Sequence, residues 1–164
     1  MIRPARLADV PAIYQLIRDL AAYERALPEV TGTLEDLQQS LFGPDPAVFA
    51  HVAEQDGEVA GFALWFLNYS TWQCQQGIYL EDLYVRPELR GAGYGRQLLT
   101  ELAALCVERG YGRLDWAVLD WNEPARGFYA RLGATRQDEW TTHRLTGAAL
   151  RELAAARTAG GTPG

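Results

Sequence analysis

With 164 residues, 48% of them hydrophobic and 22% charged, the chain fits one globular domain that can bury an ordinary core, and a disordered polymer is excluded. No apolar run approaches the ~20 residues that a membrane-crossing helix needs. A formal net charge of −6 disfavours nucleic acid as a partner and suits cationic ones. The N-terminal run M-I-R-P-A-R-L-A-D leads straight into a strand and a helix, without the apolar core and small-residue cleavage site of a signal peptide, so a cytoplasmic protein is expected. Cys74 and Cys106 are too few for a disulfide framework and lack metal-ligand spacing with His51 and His143, so no metal is expected.

In chain order, Ile2 and Arg3 open a short strand. Asp9 is then placed to cap a helix with Pro11 in its first turn and Ile13, Leu16, Ile17 and Leu20 on one face. Thr33 with Asp36 forms a capping box for a second helix, which Gly43, Pro44 and Pro46 stop. Residues 48–54 and 58–69 read as antiparallel strands joined by Q-D-G-E, with Gly57 at positive φ. Residues 70–77 are the next connection, and residues 78–85 a third strand of the meander.

Pro87 closes that strand, and Gly91, Gly93 and Gly95 allow a tight turn into a helix carrying Leu98, Leu99, Leu102, Leu105 and Cys106, which Gly110 ends. Residues 113–119 alternate as another strand. A short helix after Asn122 ends at Gly133, residues 134–145 read as a further strand, and a helix over residues 146–156 is expected to bury Leu150 and Leu153. The strand–helix–strand crossover from Leu80 to Leu119 implies an α/β sheet with a parallel pair near its centre.

The glycine-rich turn has chemical meaning because the first N–H groups of a helix lack internal partners and carry the positive end of its dipole. Glycines keep side chains away, so a diphosphate can approach those amides, and Arg90 and Arg96 add charge. The turn alone is equally compatible with an ordinary strand-to-helix connection.

The motif R-G-A-G-Y-G, formed by Arg90, Gly91, Ala92, Gly93, Tyr94 and Gly95, resembles the pyrophosphate motif [Q/R]-x-x-G-x-[G/A] of the GNAT superfamily of acyl-CoA-dependent N-acetyltransferases. L-A-A-Y-E-R at 20–25, Y-L-E-D-L-Y-V at 79–85, W-N-E-P-A at 121–125 and G-F-Y-A-R-L-G-A at 127–134 extend the likeness over nearly the whole chain, toward the diamine (spermidine/spermine) branch. The resemblance implies an α/β GNAT fold: a mixed, mostly antiparallel central sheet with a splayed parallel pair, flanked by helices. It also implies one acetyltransferase domain over residues 1–156, with residues 157–164 a flexible tail, and a homodimer.

By the same resemblance, Leu83, Tyr84 and Val85 offer backbone groups to pantetheine and the acetyl carbonyl, where the strand splays at a bulge. Arg90, Gly91, Ala92, Gly93, Tyr94, Gly95 and Arg96 cradle the pyrophosphate of acetyl-CoA. Asn122, Pro124 and Ala125 match positions near pantetheine; Asn122 is equally suited to capping its helix. Tyr129 corresponds to the catalytic tyrosine that protonates the departing thiolate, a role for which a phenol of pKa about 10 is suited. Packing of the Phe128–Tyr129 pair is the other reading.

An attacking amine must lose a proton, and Glu81 acting through water is the candidate base. Glu81 and Asp82 are adjacent, so on a regular strand they point to opposite faces and take separate roles; Asp82 faces substrate or secures the turn. Tyr23 and Glu24 match positions that hold a remote ammonium group by cation–π and charge contacts, and a helix end with surface charge is the other reading. Residues 70–77 and His143 depart from the branch pattern.

The expected reaction is acetyl transfer from acetyl-CoA to a primary amine of a small diamine, polyamine or lysine-like substrate, by direct attack in a ternary complex and without metal. Acetylation of a protein lysine or N-terminus, and a non-catalytic acyl-CoA sensor, are the alternatives.

Overall fold

The computed structural model describes residues 1–159. The chain divides into two compact units, Met1–Ala117 and Val118–Gly164. In the first unit, strands β1 (Ile2–Pro4), β2 (Phe49–Gln55), β3 (Glu58–Ser70), β4 (Gln75–Val85) and β5 (Leu114–Trp116) form one sheet in sequential order. All neighbouring pairs are antiparallel except β4 and β5, which run parallel, as the crossover through α3 (Tyr94–Arg109) requires. The mixed, mostly antiparallel sheet expected from sequence is present, but among the described residues its parallel pair lies at one edge instead of near the centre.

Residues 59–65 of β3 are buried without a break instead of alternating, so both faces of the sheet are covered. On one face Val10, Ile13 and Leu16 of α1 (Val10–Tyr23), with Leu41 of α2 (Leu34–Phe42), pack on Val52, Phe62, Leu64 and Tyr84. Leu98, Leu99 and Leu102 of α3 are buried on the other side. There His51, buried in β2, accepts a hydrogen bond at Nδ1 from Trp65 Nε1 at 3.1 Å. Burial holds the His51 pKa below its ordinary value.

The Thr33 and Asp36 capping box forms as expected. Asp56 and Gly57 both adopt positive φ, 53° and 84°, giving the mirror-image hairpin turn that follows the twist of its strands. Asp9 does not cap α1 as expected. Its carboxylate receives two bonds from Arg3, at 2.7 and 2.9 Å, and Arg3 also meets Glu54 at 2.7 Å, so the aspartate ties β1 to the start of α1. It also accepts the Arg6 N–H at 2.7 Å, so its oxygens face the residues before the helix instead of the first free amides of α1. Its Arg3 partner also holds the Asp9 carboxyl below the usual range.

The connection expected over residues 70–77 is much shorter. β3 runs to Ser70 and β4 starts at Gln75, and Cys74 at the tip has φ +51°. The strand expected over residues 113–119 is ordered as β5 only at Leu114–Trp116.

In the second unit, α4 (Glu123–Arg131) starts at Asn122, whose Oδ1 accepts the Ala125 N–H at 3.3 Å, and Gly133 follows it at φ +87°. The strand expected over residues 134–145 is absent. A Trp140 N–H to Gln137 carbonyl bond closes a turn there instead. α5 (Gly147–Ala159) is longer than expected, and Leu150 and Leu153 are exposed instead of buried. The expected tail loses residues 157–159 to α5; the remainder of it lies outside the described residues.

Candidate active site

The parallel pair is short. β5 matches β4 only at Ile78↔Leu114, Tyr79↔Asp115 and Leu80↔Trp116, while β4 continues to Val85. Residues 81–85 of β4 therefore have no β5 partner, which leaves their backbone N–H and C=O groups on that edge to other acceptors and donors. This is the splay expected from sequence.

A bulge stands where the splay begins. Trp65 pairs with Leu80 and Leu64 with Asp82, so Glu81 is the extra residue of β4. Its effect is a change of face. In a regular strand Leu80 and Asp82 would share one. Here Leu80 stands opposite Trp65, the partner of His51, whereas Asp82 and Tyr84 stand opposite Leu64 and Phe62, which belong to the core under α1. The strict opposition of Glu81 and Asp82 assumed from the sequence fails for this reason.

The bulge brings Asp82 toward the end of α1, where Glu24 sits. Asp82 is partly buried, and burial, then Glu81, then Glu24 raise its pKa from 3.8 to about 6. Burial also pushes the Glu24 carboxyl above its ordinary value. No salt bridge joins Glu24, Glu81 or Asp82 to a cation among the described residues. Three acidic side chains from two elements thus create a local field suited to a cation. Tyr79, to which the sequence reading gave no role, lies beside them. Its phenol is raised by burial first and by Glu81 and Asp115 next.

Beyond Val85 the chain passes through a single 3-10 turn, Pro87–Leu89, and reaches Gly91 and Gly93, both at φ +85°. Only glycine adopts that backbone freely. Gly93 caps α3 without a side-chain bond. The helical ladder starts with the Gln97 N–H on the Gly93 carbonyl, at 3.0 Å. The N–H groups of Tyr94, Gly95 and Arg96 precede that first rung, at the positive end of a helix of 16 residues. Gly91 and Gly93 leave this end open, so the residues present fit a diphosphate.

Tyr94 is anchored by its hydroxyl to Gln55 Oε1 at 2.8 Å, which fixes the first turn to β2. Arg96 is exposed. The Arg90 side chain points elsewhere than the sequence suggested. Its Nε donates to the Val85 carbonyl at 3.0 Å, and its guanidinium lies 5.2 Å from the Tyr84 ring and 5.3 Å from the Tyr23 ring.

The remaining sequence-derived residues belong to the second unit. Asn122, Pro124 and Ala125 form the start of α4, and Tyr129 lies on its last turns beside Phe128, with ring centroids 5.3 Å apart.

A family model of the GNAT acetyltransferases matches residues 11–134. The chain belongs to the GNAT family. The match spans the crossover, the cradle and α4 together, and as a member of that family the protein is an acetyl-transferring enzyme. Among its relatives, the thialysine N-epsilon-acetyltransferase of Bos taurus is 41% identical over 94% of this chain and 96% of its own length. The L-ornithine N5-acetyltransferase of Arabidopsis thaliana is 32% identical over 93% and 86%. An integron cassette protein from the mobile metagenome of V. cholerae superposes with a TM-score of 0.78 at 26% identity, over 94% of this chain and 96% of that one.

What the sequence missed at this site is the bulge-driven change of face and the Arg90 contact with Tyr23. A bulge leaves no local signature in the L-E-D-L run, and residues 23 and 90 meet only through tertiary folding.

Proposed function

We propose that this GNAT enzyme transfers acetyl from acetyl-CoA to a primary amine of a small cationic diamine, polyamine or lysine-like amino acid, by direct attack in a ternary complex. The observation that carries the reading is the meeting, at one strand end, of an unpaired β4 edge, a glycine-lined helix N-terminus and an acidic set without a cationic partner among the described residues. Relatives named for thialysine and ornithine acetylation support the amine class.

In this reading the N–H groups of residues 94–96, with Arg90 and Arg96, hold the diphosphate, and the edge of Leu83, Tyr84 and Val85 aligns the pantetheine arm. Bound there, acetyl-CoA supplies an activated thioester. A β4 N–H stabilises the negative charge that builds on the acetyl oxygen, an effect worth about 3–4 kcal/mol for one good donor. Tyr23, Glu24 and Asp82 hold the substrate cation. The amine must shed its proton before it attacks, and Glu81, through an ordered water, receives it. Asp82, raised to about 6, is better matched than an ordinary carboxylate to share that proton. Asn122, Pro124 and Ala125 border the pantetheine, and the Tyr129 hydroxyl gives its proton to the leaving thiolate. A cytoplasmic homodimer completes the proposal; native mass measurement is expected to give twice the chain mass of 18.2 kDa, and a monomer at micromolar concentration would contradict it.

Replacing Tyr129 tests the chemistry. Tyr129→Phe is expected to retain coenzyme A affinity while turnover falls by a factor on the order of 10²–10⁴. Unchanged turnover would remove the tyrosine from the mechanism.

A further inference from the structure

We propose that Arg90 is an internal occupant of the amine subsite: it rests on the Tyr23 ring until a diphosphate at the cradle draws it away, so that binding at the two halves of the site is coupled. This inference rests on the function proposed above. Arg90 has two sets of neighbours within reach of one exposed side chain. The set it engages consists of the Val85 carbonyl, 3.0 Å from Nε, and the faces of Tyr84 and Tyr23 at 5.2 and 5.3 Å. The other begins at the next residue, Gly91, where the chain turns into the helix N-terminus.

The contact with Tyr23 gives the device its consequence. An aromatic face accepts a guanidinium or an alkylammonium by the same electrostatic attraction, and one ring face accommodates one cation. While Arg90 lies over Tyr23, an amine substrate has to compete with a tethered cation for that ring. A diphosphate offers Arg90 anionic oxygens in a bidentate, ion-paired geometry, whereas Val85 offers one neutral carbonyl acceptor. Its movement toward the anion clears the ring and releases the Val85 carbonyl on the β4 edge together.

Tyr84 belongs to the strand and Tyr23 to the end of α1, so one side chain bridges the donor half and the amine half of the site. Coupling of this kind is reciprocal. Whatever weakens the hold of Tyr23 on Arg90 strengthens binding at the cradle.

The test measures coenzyme A affinity by calorimetry for the wild type, Tyr23→Phe and Tyr23→Leu, with thermal melts to verify folding. Tyr23→Phe keeps the ring and is expected to match the wild type. Tyr23→Leu removes it and is expected to tighten coenzyme A binding about two- to fivefold, the range of an exposed cation–π contact. Unchanged or weaker binding by folded Tyr23→Leu overturns the proposal while leaving the acetyltransferase reading intact. Absence of coenzyme A binding by the wild type overturns both. A second readout needs no variant: the Arg90 Nε–H resonance of the wild type is expected to shift and exchange faster with water on adding coenzyme A, and a resonance that does not respond also overturns the proposal.

Discussion

Asp82 shows how a single carboxyl couples stability to the proposed chemistry. Its folded pKa lies above its unfolded one, so the folded state holds this proton until about pH 6, whereas the unfolded chain releases it near 3.8. The stabilising contribution of the protonated group is therefore complete below pH 4 and lost between pH 4 and 6, and above that range the buried charge is a fixed cost. A shift from 3.8 to about 6 corresponds to at most about 3 kcal/mol. Asp82→Asn is accordingly expected to raise unfolding free energy at pH 8 by about 1–3 kcal/mol, with the gain vanishing at pH 4. Urea titrations at the two pH values measure this. An equal effect at both would show that the carboxylate is solvated in the folded protein. Acceptance of such a cost at a strand bulge fits a site that holds a cation.

At the scale of elements, the β3–β4 ladder sets the position of the β4 segment proposed to align the acyl donor. Gly61 sits where an added Cβ would lie 2.6 Å from the Tyr84 carbonyl oxygen, a backbone atom that cannot move aside without parting the strands. Gly61→Ala is expected to cost about 1–3 kcal/mol and to raise the KM for acetyl-CoA, because the displaced segment carries Tyr84 and Val85. Gly32→Ala, with open space around it, is the control and is expected to leave both quantities unchanged. Denaturant melts with steady-state kinetics decide the matter, and a silent Gly61→Ala would show that the β4 edge does not need its observed placement.

Elements with strong local patterns were legible from sequence for physical reasons. Thr33 and Asp36 signal a cap within four residues, Asp56 and Gly57 a turn, and Leu98, Leu99 and Leu102 a helix face. Asp9 was misread because its partner, Arg3, lies in a preceding strand instead of the helix. The polar run over residues 134–145 alternates well enough to suggest a strand, but alternation alone does not decide between a strand and the turn formed there. The resemblance implies a bulge in this strand, but its place at Glu81 is a property of the pairing with Leu64 and Trp65, not of the residues that form it.

For the molecule as a whole, membership of the GNAT family fixes acetyl transfer, and the acidic set beside β4 supports the proposed cationic acceptor. The net charge of −6 and the set Glu24, Glu81 and Asp82 favour a cation at long and short range, with the first acting through diffusional encounter and the second in place. The measurement that bears most directly on this account is thiol release from acetyl-CoA in the presence of thialysine, ornithine, spermidine or a lysine-containing peptide at equal concentration. The account requires at least one of the three small amines to drive release well above the rate without amine and above the peptide. Release driven by the peptide alone, or by none of them from protein that binds coenzyme A, would contradict it.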